Sequence, residues 1–205
     1  MGQLFRLLVI AILGVLLGGL SALWMGGMIR GGPQIGNAVS VDGWRSDWSI
    51  GSENANPYVR AVVARNGLLA LRKEEAVYFI QTKDDAGDQL EERCTYRVSG
   101  SQLPAGWWSI TLYDGQSKLP MNDDGRLSFD QTKADYIFAD VSDIWMFEVS
   151  ADSPDDLLMP WVSSRAAGKF DLMLRLYQPS DALLADPESV LTPPSIFKLS
   201  CEGDA

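Results

Sequence analysis

Residues 7–29 read LLVIAILGVLLGGLSALWMGGMI, 23 positions without a charge. As a helix rising about 1.5 Å per residue, this run spans roughly 35 Å, enough to cross a hydrocarbon layer of about 30 Å with some tilt. Arg6 and Arg30 bracket it, and Trp24 stands where an interfacial aromatic belongs. The reading is a single transmembrane helix over residues 7–29 behind a short cytoplasmic amino terminus, residues 1–6. A cleaved secretory signal is the alternative, with its positive start and small residues near positions 19–22. Against it, a signal's apolar stretch is usually about 7–15 residues, and no clean A-x-A site comes after it. Either reading exports the rest of the chain.

The exported part is acidic. Arg6 and Arg30 are the only charged side chains up to residue 30, so the remainder carries 15 Lys+Arg against 27 Asp+Glu. Such a chain is a poor partner for nucleic acid, which needs concentrated positive charge. The chain has no histidine. That excludes Ser-His-Asp and Cys-His nucleophile activation, His-ligated zinc and imidazole proton shuttling within it. Both cysteines, Cys94 and Cys201, lie beyond the apolar run, an even count in the exported part.

Within the apolar run, Gly14, Gly18, Ala22 and Gly26 recur every four residues. This stripe of small side chains would let a second membrane helix approach closely, although glycine is also simply frequent in membrane helices. Residues 26–36 are too rich in glycine for a regular element, so residues 30–40 are assigned to a flexible linker and 41–205 to the exported domain.

Asn56 and Pro57 start a helix, with the asparagine as cap and the proline at the first helical position, where its missing N–H has no partner to lose. Ala61, Ala64, Leu68 and Leu71 then form an apolar stripe. After this helix the period falls to two. Residues 76–81, 93–98, 107–113, 136–140, 144–150, 170–177 and 196–201 read as strands separated by Asp, Gly and Pro turns. In 107–113, Trp108, Ile110 and Leu112 share one face and Trp107, Ser109, Thr111 and Tyr113 the other. In 170–177, Phe170, Leu172, Leu174 and Leu176 alternate with Asp171, Met173, Arg175 and Tyr177. Many short strands and one helix indicate a mostly β antiparallel sandwich or barrel with one attached helix. The alternation places Cys94 with Tyr96 and Val98, and Cys201 with Phe197 and Leu199, on inward faces. Compartment, count and facing together predict a Cys94–Cys201 disulfide.

Several segments carry a resemblance. Asn56-Pro57-Tyr58-Val59-Arg60-Ala61, Gly67-Leu68-Leu69-Ala70-Leu71 and Glu75-Ala76-Val77-Tyr78-Phe79 come first. Cys94-Thr95-Tyr96, Trp107-Trp108-Ser109-Ile110-Thr111-Leu112-Tyr113-Asp114, Leu174-Arg175-Leu176-Tyr177 and Pro193-Pro194-Ser195-Ile196 come after them in order. Together they resemble the domain-of-unknown-function family 1214, in its small form with an amino-terminal membrane segment. The resemblance covers roughly residues 50–200 and implies a jelly-roll-like sandwich. It also implies a partner from the companion family numbered 1254, to which the family is often fused or beside which it is often encoded. It supplies no mechanism. The location expected for such a chain is the bacterial inner membrane, single-pass, with the globular domain in the periplasm.

The face of Trp107 and Tyr113 in one strand, and of Arg175 and Tyr177 in the other, is the candidate ligand surface. If the two strands are neighbours, flat aromatic faces and a guanidinium would suit sugar rings or acidic head groups, a glycan or a lipid. Packing under a helix or loop is the plainer account of the same residues. Glu74, Glu75, Asp114 and Glu148 lie near apolar sequence and could serve as an acid–base pair without histidine, but no spacing singles out two of them. The runs 84–88 and 122–125 offer oxygens without the ligand order of a calcium loop, and read more simply as turns. No catalytic residue, cofactor or metal is assigned. Three functions remain: a non-enzymatic envelope accessory protein that docks a partner or polymer, a carboxylate-based hydrolase or isomerase, and a subunit of a membrane complex.

Overall fold

The structure, a computed structural model, describes residues 2–25, 38–51, 55–65, 71–138, 141–156 and 158–203. The chain forms two compact units, residues 1–37 with 49–70, and residues 38–48 with 71–205.

The first unit holds two helices. α1 spans Gly2–Met25, is exposed along its length and is long and apolar enough to cross a membrane, as an anchor or a signal sequence would be. Nothing among the described residues lies within 4 Å of a Cβ placed on Gly14 or Gly18. Gly26 and most of the linker lie outside the described residues. α2 spans Pro57–Arg65, and the Asn56 side chain accepts from the Tyr58 amide at its start. The stripe expected from Ala61 and Ala64 is displaced: both alanines are exposed, while Val59 is buried. Valine, with more apolar surface than alanine, is the residue that packs. Leu71 lies beyond the helix, and Leu68 outside the described residues.

The second unit is mostly β. Its strands are β1 (Ala38–Val41), β2 (Trp44–Asp47), β3 (Ala76–Gln81), β4 (Cys94–Gly100), β5 (Ala105–Asp114), β6 (Ser128–Asp130), β7 (Trp145–Ser150), β8 (Trp161–Ser163), β9 (Phe170–Pro179) and β10 (Ser195–Cys201). They form a six-stranded sheet, β1-β2-β3-β9-β5-β6, and a four-stranded sheet, β10-β4-β7-β8, antiparallel except for β7 with β8. Short helices α3 (Gln131–Phe138), α4 (Asp181–Ala185) and α5 (Pro187–Val190) join strands.

The core lies between the sheets and follows the period-two pattern. Phe170, Leu172, Leu174 and Leu176 on β9, and Trp108, Ile110 and Leu112 on β5, are buried. They meet an aromatic cluster in which Trp108 lies 4.4 Å from Trp145 of the facing sheet and Phe129 4.7 Å from Phe147, between ring centroids. Trp145 closes over Gly100, whose missing side chain makes room for the indole.

Two expectations are corrected. Residues 136–138 are helical, not extended, because Asp130 caps α3 by accepting from the Lys133 amide, and Ala134 and Phe138 turn inward four residues apart. On β10, Phe197 and Leu199 face outward and Ile196 faces the core. A bulge between Lys198 and Ser200 adds one residue, restoring Cys201 to the face of Cys94.

One edge of the four-stranded sheet, at β10, is closed by a loop. Asp85 accepts from the Ile196 amide and the Ser195 hydroxyl, and its own amide donates to the Ile196 carbonyl, so the loop after β3 occupies the open side of β10.

Candidate functional site

β5 and β9 pair over nine registered positions, so the four aromatic and basic candidates share one outward face of the six-stranded sheet. Trp107 stands directly opposite Tyr177, with ring centroids 5.4 Å apart at 52°. Tyr113 lies further along the same face of β5, and Arg175 reaches toward it: its Nη2 donates to the Tyr113 hydroxyl, and its Cζ sits 5.7 Å from that ring's centroid. This contact spans the intervening pair Thr111 and Met173, both buried. Tyr113, Arg175 and Tyr177 are half-buried, and Trp107 is 38% exposed, its indole donating to the Thr132 hydroxyl of α3 at 3.2 Å.

Arg175 makes no ion pair with any described carboxylate, and its Nε is buried with no hydrogen-bond partner among the described residues. The guanidinium thus has one group, Nη2, donating to Tyr113 and one buried donor, Nε, without a partner among the described residues.

Two further residues on this face escaped the sequence reading. Tyr78 of β3 registers with Arg175 from the other side, and burial raises its phenol above the ordinary range. Its place depends on β3 lying next to β9, which no local pattern reveals. Asp171 registers with Tyr113, and burial, then the Asp114 charge, push its carboxyl up to about 6. Its alternation with Arg175 on β9 was a signal that could have found it.

The other carboxylates have structural work. Glu148 pairs with Arg97 at 2.7 Å, Glu75 accepts from the Arg72 amide, Asp114 accepts from the Gln116 and Lys118 amides, and Glu74 is exposed. In residues 84–88, Asp84 accepts from the Ala86 and Asp88 amides while Asp88 pairs with Lys198 at 2.5 Å. In residues 122–125, Asn122 accepts from the Asp124 amide and Asp124 binds Ser163 and Arg165. Among the described residues no three acidic or sulfur side chains converge as a metal site would require.

Two shallow clefts lie away from the aromatic face. One of about 610 Å³ lies between Asp42, Arg45 and the loop carrying Lys83. The other, about 420 Å³, is lined by Glu92, Glu148 and Asp152 beside Cys94. In the second, Glu92 accepts from the Ala166 and Gly168 amides, and Asp152 pairs with Arg165, so these acids hold loops together. Cys94 and Cys201 are disulfide-bonded.

The fold and sequence have known relatives. The family described as "Protein of unknown function (DUF1214)" matches residues 75–181, about half of the chain. No curated protein matches the sequence. The crystal structure of the VPA0106 protein from Vibrio parahaemolyticus aligns with a TM-score of 0.55 at 20% identity, over 72% of this chain and 36% of that one. A putative uncharacterized protein from Burkholderia cenocepacia aligns at 16% identity and a TM-score of 0.37, over 64% of this chain and 31% of that one. The chain thus spans about a third of the length of each of these two solved structures.

Proposed function

This chain belongs to the DUF1214 family, and we propose that it is a membrane-anchored, non-enzymatic accessory protein of the bacterial cell envelope whose periplasmic sandwich docks an acidic partner. The observation that carries the reading is Arg175: a half-buried guanidinium with no carboxylate and an unpartnered Nε among the described residues, beside the Trp107–Tyr177 pair. A carboxylate or phosphate would take the fork of the guanidinium, and a sugar ring would lie on the aromatic pair. An acidic envelope polymer offers both, and an acidic protein segment offers the first. The resemblance to this family implies a partner chain of its companion family 1254 as the protein that would dock. α1, as an uncleaved anchor, would keep the domain at the inner membrane, and its small-residue stripe would serve pairing with a partner's helix.

The test is a crosslinked pull-down of the full-length protein from its native membrane, wild type beside Arg175→Gln, with proteins and bound glycan both identified. An acidic polymer or a stoichiometric partner that disappears in the variant supports the reading. Retention of the same companion by both proteins sinks it.

Asp171 is the specific observation on the side of a carboxylate hydrolase, because a carboxyl titrating near 6 is suited to general acid work. That second reading requires turnover of a defined envelope substrate that is lost in Asp171→Asn.

A further inference from the structure

The larger of the two clefts holds a buried polar group whose donors are unused. Gln81, the last residue of β3, is 9% exposed and lines this cleft. Its Oε1 accepts from the Thr82 amide at 3.0 Å and the Lys83 amide at 3.2 Å. Two backbone donors on the oxygen put Nε2 on the other side of the amide. There it meets the turn between β1 and β2. A Cβ on Gly43 would fall 2.6 Å from Nε2, so a glycine lets the turn lie this close. The amide is thus held between turn and strand, and Nε2 has no acceptor among the described residues. A buried donor without an acceptor costs free energy, and one already fixed in place costs a ligand little further ordering.

Charged side chains surround the amide. Arg45 of β2 and Lys83 line the same cleft, both exposed and neither in an ion pair among the described residues. Two of the three carboxylates there are committed. Asp84 accepts from the Ala86 and Asp88 amides and lies 3.6 Å from Lys198, and Asp85 binds Ser195 and Ile196. Asp42 is exposed and has no partner among the described residues. What the cleft leaves uncommitted is therefore one neutral donor, two cations and one acceptor.

We infer that this cleft binds a small ligand carrying an oxyanion on a hydroxylated ring, a sugar acid or sugar phosphate. The oxyanion takes the Gln81 Nε2 donors between Arg45 and Lys83, and ring hydroxyls donate to Asp42. A volume of about 610 Å³ has room for such a ring. A glutamine at the buried position gives the oxyanion a donor without burying a second charge beside it. Asp42 repels a ligand that is anionic at both ends and accepts from one that offers hydroxyls there. Gln81 registers with the buried Leu172, whereas Arg175 and Tyr78 register with each other on the outward face. The site therefore stands apart from the docking face proposed above.

The experiment is titration calorimetry on the full-length protein in detergent, disulfide intact, with glucose 1-phosphate, glucuronate and, as the uncharged comparison, glucose. Saturable binding of either acid with a Kd of about 1 mM or tighter is expected, and none of glucose over the same range. The tighter acid tells phosphate from carboxylate. Gln81→Glu keeps an oxygen for the Thr82 and Lys83 amides and replaces the donors by a second oxygen. Arg45→Gln removes an exposed charge outside the core, and it decides alone if Gln81→Glu does not fold. Each change should weaken binding about tenfold or more, while Arg175→Gln leaves it within about twofold. No saturable binding of either acid, equal binding of glucose, or an affinity that Arg45→Gln leaves unchanged overturns the site. Loss of binding in Arg175→Gln alone overturns it too, since the acid would then sit on the aromatic face.

Discussion

Cys94 and Cys201 stand directly opposite each other across β4 and β10 only because the ladder slips by one residue at Leu199. In an unbroken ladder of the same sequence, Ser200 would face Cys94 and Cys201 would point away from it, since a one-residue shift reverses every side chain of a strand. Leu199 is the extra residue, so its deletion leaves Ser200 opposite Thr95 and Cys201 opposite Cys94 with the bulge gone. The deletion variant is expected to keep the disulfide, with no free thiol in a titration under denaturing conditions. Two free thiols in a folded deletion variant would show that the pairing needs the bulge itself. The Cys94→Ala/Cys201→Ala variant, which opens a separation of 107 residues, is expected to lose about 2–5 kcal/mol in denaturant unfolding.

The four-stranded sheet carries a second constraint of space. A Cβ on Gly100 would fall 2.5 Å from the Trp145 ring, and that ring is fixed by Trp108 and by its indole bond to the Ser101 carbonyl. Gly100→Ala is expected to destabilise the domain by about 1–3 kcal/mol, the usual cost of overpacking a core. Coupled with Trp145→Leu, the two changes should be less costly than their sum, because the smaller side chain frees the space. Additive unfolding energies in the double-mutant cycle would refute the contact.

How much of this was legible depended on how local the cause was. β5 and β9 announce themselves by alternation, because Trp108, Ile110 and Leu112, and Phe170, Leu172, Leu174 and Leu176, recur at every second position, while β3 reads as a short apolar run. The hairpin of β1 and β2 was equally legible in principle: Asp42-Gly43 takes positive φ at both turn positions, 45° and 85°, as an Asp-Gly turn between short apolar strands would. Residues 136–138 misled because the contiguous run Tyr136-Ile137-Phe138 fits a strand until the Asp130 cap is weighed. Strand order was not local at all. The Trp107–Tyr177 and Tyr113–Arg175 contacts needed β5 beside β9, and Tyr78 needed β3 on the far side of it. A bulge such as that at Leu199 leaves no mark in composition, because any residue can be the extra one.

Asp171 should make stability depend on pH in an unusual direction. Its folded pKa, about 6, lies above that of an unfolded aspartate. Between about pH 4 and 6 the folded state therefore binds more protons, and this group's contribution to stability falls as pH rises through that window. Asp171→Asn is expected to be more stable than wild type at pH 7, by at most about 1–2 kcal/mol after allowing for the solvent that reaches the group. The two proteins should converge near pH 4. A difference that is constant between pH 4.5 and 7 would remove Asp171 as its source.

Arg175 allows ligand binding and stability to be separated. A side chain kept for the fold should cost stability when removed, whereas a half-buried charge without a carboxylate is expensive to desolvate and little missed. Arg175→Met keeps an apolar stem over Thr111 and Met173 and removes the charge. The variant is expected to unfold within about 1 kcal/mol of wild type, or to be slightly more stable, because the lost bond to the Tyr113 hydroxyl is offset by relief of an unpaired buried donor. Its affinity for an acidic oligosaccharide probe should fall about tenfold or more, as loss of a charge-assisted bidentate contact implies. Titration calorimetry on the full-length protein in detergent gives the second number and denaturant unfolding the first. A large loss of stability with unchanged binding would make Arg175 a packing residue and exclude this face as the docking site.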